Sequence, residues 1–251
     1  MSILKAQGLI GHLREERITR MTRTGDTLTE IYRAARERFG HQAWWPSQAG
    51  CHTPEGKLEV CVGAILTQNT SWRNVERALA NLRAAGAMSV AALAAMDRAE
   101  LAELIRPAGY YNVKAKRLKN FIDAVRRAWG EDLEGFLDRP GSSLRADLLA
   151  INGVGRETAD SIILYAAGKP TFVVDAYTCR VLLRHGLIDV EFDYEMVKEL
   201  LESNLPAEAE LFNDFHAQFV AIGKNYCKPR AACPGCPLEH MPHDPLAGTE
   251  Y

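Results

Sequence analysis

No uninterrupted apolar run in this 251-residue chain approaches the roughly 18 residues of a membrane span, so no membrane helix is expected. The opening Met1-Ser2-Ile3-Leu4-Lys5 is not followed by a sustained apolar segment, so a secretory signal is not expected either. Alternating, strand-like runs are nearly missing; Thr171–Val174 is the one short candidate. Internal repeats and low-complexity tracts are absent, which excludes solenoid and fibrous classes. There is no excess of basic charge: 30 Lys and Arg face 32 Asp and Glu, a net charge of −2, which argues against a uniformly basic nucleic-acid binder. Cysteines are few, six in all, and three gather near the C-terminus. That usage fits a reducing compartment, the cytoplasm, and one metal site better than a disulfide framework.

What remains is a globular, helical pattern. Leu58, Val62, Ile65 and Leu66 share one helical face; Leu101, Leu104 and Ile105 share another, as do Leu118, Ile122 and Val125. Breaks fall at Trp44–Thr53, Pro107–Gly109 and Arg139–Ser143. The fold class read from this is all-α, with roughly ten helices. Charge is unevenly spread. Arg106, Lys114, Lys116, Arg117, Lys119, Arg126 and Arg127 crowd one stretch with Asp123 as its only acid, while Asp189–Asp214 is acidic apart from Lys198. A basic face and an acidic lobe can coexist within a neutral total; the plainer reading of each is a solvated helix face. Residues 1–25, rich in Arg, read as a basic arm or an extension ahead of Met21.

The chemistry concentrates between Ser143 and Gly186. Ser143 can cap a helix over Leu144–Ile151; Asn152-Gly153-Val154-Gly155 makes a tight turn; a second helix over Glu157–Ala167 stops at Gly168 with Pro170 beyond. Glycines in such a turn let backbone N–H groups approach a phosphate, and the following helix adds the positive end of its dipole. An ordinary αα-corner has the same outline. Downstream, Asp175 precedes a helix over Ala176–His185 closed by Gly186. Asp is among the best N-caps and needs no catalytic role there. The same geometry keeps a carboxylate ionised, and a fixed carboxylate can stabilise an oxocarbenium-like sugar as a base departs.

Leu149-Ala-Ile-Asn-Gly-Val-Gly-Arg-Glu-Thr-Ala-Asp160 followed by Val173-Val174-Asp175 resembles the endonuclease III superfamily of helix-hairpin-helix DNA glycosylases. Ala64–Thr70 is similar to the family's helix whose Gln, here Gln68, enters DNA near the extruded base. Gly109–Ala115 is similar to its earlier backbone-contacting turn. The resemblance spans residues 30–236. It implies Asp175 as the catalytic carboxylate and a DNA-contacting set of Gln68, Asn69, Tyr110, Lys114, Gly153, Gly155 and Arg156. It implies two helical lobes flanking a DNA cleft: a six-helix barrel lobe over 53–169 holding the hairpin, and a lobe from 29–52 with 170–251, after an arm at 1–28. Where bifunctional members place a nucleophilic Lys, this chain has Glu157, and a carboxylate cannot form a Schiff base. With Trp44-Trp45-Pro46, that departure is similar to the monofunctional third-type 3-methyladenine glycosylases. Trp44, Trp45 and Gln68 are then expected to line the base pocket, an indole face suiting a cationic methylated purine. Alternatively the two indoles close a core, or one packs and the other faces the pocket.

Cys227, Cys233 and Cys236 form a C-x5-C-x2-C run. Many members of the superfamily hold a [4Fe–4S] cluster on four Cys; here Pro242 stands at the fourth position, with His240 and His243 as candidate substitutes. Zinc on three Cys and one His, or no metal, are the alternatives. The implied function is a monofunctional, monomeric glycosylase that acts on double-stranded DNA carrying a damaged, alkylated purine. The competing readings are a glycosylase for another lesion or mispair, and a non-catalytic hairpin protein that binds DNA. A pure scaffold would need neither Asp175 nor Gln68.

Overall fold

A computed structural model describes residues 23–42, 45 and 53–248. Trp44, Pro46 and most of the N-terminal arm lie outside the described residues, and the expectations placed on them lie outside with them. The described residues form α-helices and no strand. In order these are α1 (residues 23–39), α2 (Pro54–Leu66), α3 (Trp72–Ala84), α4 (Val90–Ala95), α5 (Arg98–Leu104), α6 (Tyr111–Trp129), α7 (Leu133–Leu137), α8 (Gly141–Ala150), α9 (Arg156–Ser161), α10 (Ala176–Arg184), α11 (Tyr194–Asn204) and α12 (Ala209–Asn225). The all-α reading holds, and no helix among the described residues is long and apolar enough to cross a membrane.

The chain divides into two compact units: one takes the chain through Gln42, Val174–Ala207 and everything from Asp214; the other takes Ala43–Val173 with Glu208–Asn213. The second unit is organised on α2. Thr53 caps it by accepting the Gly56 N–H, and Pro54 fills its first turn, where a missing N–H costs nothing. Leu58, Val60, Val62, Ile65 and Leu66 are all buried, as is Glu59, which pairs with Arg83, so α2 runs through the middle of its unit with α3, α6, α7 and α9 against it. Each such Leu or Ile contributes about 1.5–3 kcal/mol by leaving water. In the first unit α1 and α12 meet through Tyr32, whose hydroxyl donates to Asp214 at 2.7 Å and whose ring packs on Phe215. Asp214 also accepts the Gln42 N–H at 2.8 Å.

Three sequence expectations shift. The hairpin's first helix begins at Gly141, with Pro140 as N-cap; the Ser143 hydroxyl donates back to the Pro140 carbonyl instead of capping. The second helix is not uniform, since after Ser161 it widens into a π turn over Ile162–Ala166. Thr171–Val174 forms no strand and leads directly into α10.

Candidate active site

The hairpin is built by a glycine that admits an arginine. Gly153 has φ +103°, and a Cβ there would stand 2.2 Å from Cγ of Arg117, so the α6 side chain lies directly on the turn. Arg117 donates to the side-chain oxygen of Gln68, whose amide nitrogen donates to the Gly153 carbonyl at 3.2 Å and to the Thr158 hydroxyl at 2.9 Å. Asn120, one turn beyond Arg117 on α6, holds the Asn152 carbonyl at 2.8 Å. Gln68 is therefore bound into the hairpin here. Its neighbour Asn69 is exposed with φ +52°. The other described non-glycine residue with a left-handed backbone is Tyr110, φ +47° and 74% exposed, at the N-cap of α6. Such strain concentrates where a backbone is shaped for contact with something else. Gly155 and Arg156 open α9 on the surface, and an open groove joins Asn152 and Gly153 to Arg98, Lys116 and Arg117.

Lys114 departs from its expected surface role. It is 1% exposed, and its ammonium donates to the Leu66 carbonyl at 2.8 Å and the Ala108 carbonyl at 2.7 Å. Burial, with Arg117 nearby, pushes it down to about 8. It satisfies two helix-end carbonyls and cannot meet a phosphate from there. Lys119 is similarly spent on the Leu93, Ala94 and Met96 carbonyls at the end of α4. The basic stretch is therefore only partly a basic face.

Trp45 stands edge-on to Trp72, with ring centroids 5.0 Å apart, and tilted over Tyr165 of the π turn at 5.1 Å. Gly63 makes room, since a Cβ there would meet the Trp45 ring at 3.1 Å. This indole has a packing role within its unit.

Asp175 is the N-cap of α10. Its Oδ1 accepts both the Thr178 N–H at 2.7 Å and the Thr178 hydroxyl at 2.8 Å. Burial alone would raise its pKa; His216 and Thr178 outweigh burial and hold the carboxyl below its ordinary value. The His216 Nε2 lies 3.6 Å from Asp175 Oδ2.

The same α10 grips the cysteine loop. Arg180 donates to the Cys227 carbonyl at 2.6 Å. Arg184, 3% exposed, donates to the Lys228 and Pro229 carbonyls and points a guanidinium N–H at the Cys227 sulfur, 3.3 Å away. Cys227, Cys233 and Cys236 line one small cavity together with Arg184, His185 and His243. Burial pushes the Cys236 thiol up, and the neighbouring Cys227 and Cys233 add to this. His243 Nδ1 lies 2.8 Å from the Met241 carbonyl, which can only accept, so Nδ1 is the donor of that contact. His240 does not line the cavity and pairs with Glu30 at 3.1 Å. Among the described residues no three His, Cys, Asp or Glu close around one ion-sized position.

Residues 62–207 match the HhH-GPD superfamily of base excision DNA repair proteins. The chain belongs to that superfamily. A protein of Methanocaldococcus jannaschii, named as a candidate DNA repair glycosylase, is 45% identical over 86% of this HhH-GPD chain and 96% of its own length. An endonuclease III of Sulfolobus acidocaldarius is 26% identical over 82% and 90% of the two chains. Among solved structures, a 3-methyladenine DNA glycosylase of H. pylori bound to 1,N6-ethenoadenine superposes with TM-score 0.67 at 28% identity, over 80% of this chain and 97% of that one. A non-covalent endonuclease III–DNA complex shares the fold, with TM-score 0.71 at 22% identity over 90% and 95%.

Sequence reading gave no individual role to Arg117 in one unit of this HhH-GPD chain, or to Arg180, Arg184 and His216 in the other. His216 carried a signal, a lone His one turn from Phe212 and beside Phe215 and Phe219 on an otherwise buried helix. The arginines carried none beyond their charge.

Proposed function

We propose that this protein is a monofunctional DNA glycosylase that extrudes a damaged, alkylated purine from duplex DNA and hydrolyses its N-glycosidic bond. The observation that carries this reading is Asp175, a half-buried carboxylate at a helix N-cap whose surroundings favour its charged form. As the C1′–N bond breaks, its electrons leave with the base; a cationic alkylated purine departs neutral, and positive charge builds on the sugar. Asp175 stabilises that charge. Water then adds to C1′ and gives up its proton to the surrounding solvent, so the products are a neutral base and an abasic sugar. Gly153 and Gly155 offer backbone N–H groups to a phosphate, Arg156 and Lys116 add charge, and Tyr110 and Asn69 are shaped to reach the duplex. Gln68 enters the DNA only after exchanging its hairpin hydrogen bonds for contacts there. The alkylated-purine assignment leans on the likeness to the glycosylase that binds 1,N6-ethenoadenine and on the aromatic Trp44–Trp45 segment. Glu157 supports the absence of lyase chemistry.

A [4Fe–4S] cluster fits the donor set of Cys227, Cys233, Cys236 and His243. Three cysteines line one cavity with His243, and thiolates are the donors that iron–sulfur clusters take. When bound, the cluster would order the loop carrying Lys224, Lys228 and Arg230, which would hold DNA. Arg184 would stabilise the Cys227 thiolate. The test of function is base release from a panel of duplexes, each carrying one lesion. Release of methylated purines alone is expected. Release confined to deaminated, oxidised or mispaired bases would move the assignment to another lesion, and DNA binding without any release would leave a scaffold.

A further inference from the structure

Asp175 has two oxygens with different surroundings. Oδ1 is committed to the first turn of α10 through two donors on Thr178. Oδ2 faces the ring of His216 at 3.6 Å, a distance of charge interaction and too long for a direct hydrogen bond. His216 is 7% exposed and comes from α12, a different helix forty-one positions on.

The register of the two helices is fixed close by. A Cβ at Gly223 would stand 2.2 Å from the Tyr177 ring, so α12 can approach the start of α10 only with glycine at that position. Tyr177 follows Asp175 by two residues, and His216 precedes Gly223 by two turns. The close approach therefore sets the imidazole opposite the carboxylate. Other ionisable groups nearby are otherwise engaged. Asp214, two residues before His216, is turned to Tyr32 and Gln42. Tyr194, at the start of α11, takes the Val174 N–H on its hydroxyl oxygen at 3.4 Å. Partial removal from water, with 13% of the side chain exposed, by itself moves a carboxyl toward its protonated form.

We propose that His216 is a positioning residue for Asp175, fixing the direction of Oδ2 while Oδ1 holds the helix. This rests on the glycosylase reading for its catalytic consequence, and on geometry alone for its electrostatic one. The two are separated by measuring both. With 13C-carboxyl-labelled Asp, the Asp175 resonance is identified by its loss in Asp175→Asn and titrated in the wild type, His216→Leu and His216→Gln. Loss of the imidazole in His216→Leu is expected to move the Asp175 midpoint up by at least roughly one pH unit. An unmoved midpoint in folded His216→Leu overturns the proposal.

The second measurement is single-turnover base release against pH. The Leu variant is expected to be slower by about tenfold or more, with its acid limb moved up and DNA affinity unchanged. The Gln variant, which turns an N–H dipole toward Oδ2 without the charge, should recover part of the neutral-pH rate. A loss that is uniform with pH and not recovered by Gln marks a packing role and also overturns the proposal. If the resonance shifts as expected while the wild type releases no base from any duplex, the positioning stands and the glycosylase reading falls.

Discussion

Arg117 occupies the space that any side chain at position 153 would need. The clash, 2.2 Å between a Cβ and the Arg117 Cγ, coincides with a φ of +103°, so glycine is demanded twice over. Gly153→Ala should displace Arg117 and with it Gln68. We expect a loss of at least ~1 kcal/mol, seen as a fall of several degrees in melting temperature, together with weaker duplex binding. Unchanged stability and binding would show that the hairpin does not depend on this packing.

Asp175→Asn keeps the cap, because Asn is as good an N-cap as Asp. The variant should fold and bind DNA like the wild type, with base release reduced by about two orders of magnitude or more. Full activity in a folded Asp175→Asn protein removes Asp175 from the mechanism. With the wild type, activity should hold at neutral pH and fall only below the ordinary Asp range. A carboxyl whose pKa is depressed keeps its charge until the pH drops through that lowered value.

Helix α10 and its cap were legible in the sequence, because Asp175, the apolar spacing and Gly186 are local signals. The start of α8 was not. Pro140 takes the cap position itself, three residues before the Ser that sequence rules prefer, and the helix begins at Gly141. Lys114 was misjudged although its spacing held the clue: it stands four residues before Leu118, on the buried stripe of α6. A charge was read as a surface, when two stranded carbonyls were waiting for a donor. The His216–Asp175 pair was beyond reach, since it depends on how closely two distant helices pack.

Salt titrations separate the two lysines. Lys116→Ala should lower the slope of log affinity against log salt by ~0.9. Lys114→Met should leave the slope unchanged and lower the melting temperature, because the Leu66 and Ala108 carbonyls lose their donor. The folded pKa of Lys114, about 8, lies below its ordinary 10.5. The cost of burying its charge is therefore full below pH 8 and eases as pH rises toward 10.5, so the wild type should gain on Lys114→Met across that window.

Borohydride should trap no covalent adduct with a lesion-bearing duplex. Glu157 stands where an attacking amine would be needed, and the amine of Lys114 is buried against backbone carbonyls. A robust trapped complex would require an amine outside this arrangement.

Anaerobically purified protein should be brown, with several irons per chain. His243→Ala should make the colour labile and His240→Ala should not, because His243 lines the thiol cavity and His240 does not. Colourless protein with about one zinc per chain would assign a three-Cys, one-His site instead.

Helix α10 runs for nine residues with Asp175 at its start, while Arg180 and Arg184 bind the cysteine loop from its second half. A segment so short has little stability of its own, so its two ends open and close together as one cooperative unit. Oxidation of the loop thiols, which would pull Cys227 from Arg184, should therefore be read at the far end of the helix. The Thr178 amide, which donates to Asp175, would exchange its hydrogen faster although nothing near it had been modified.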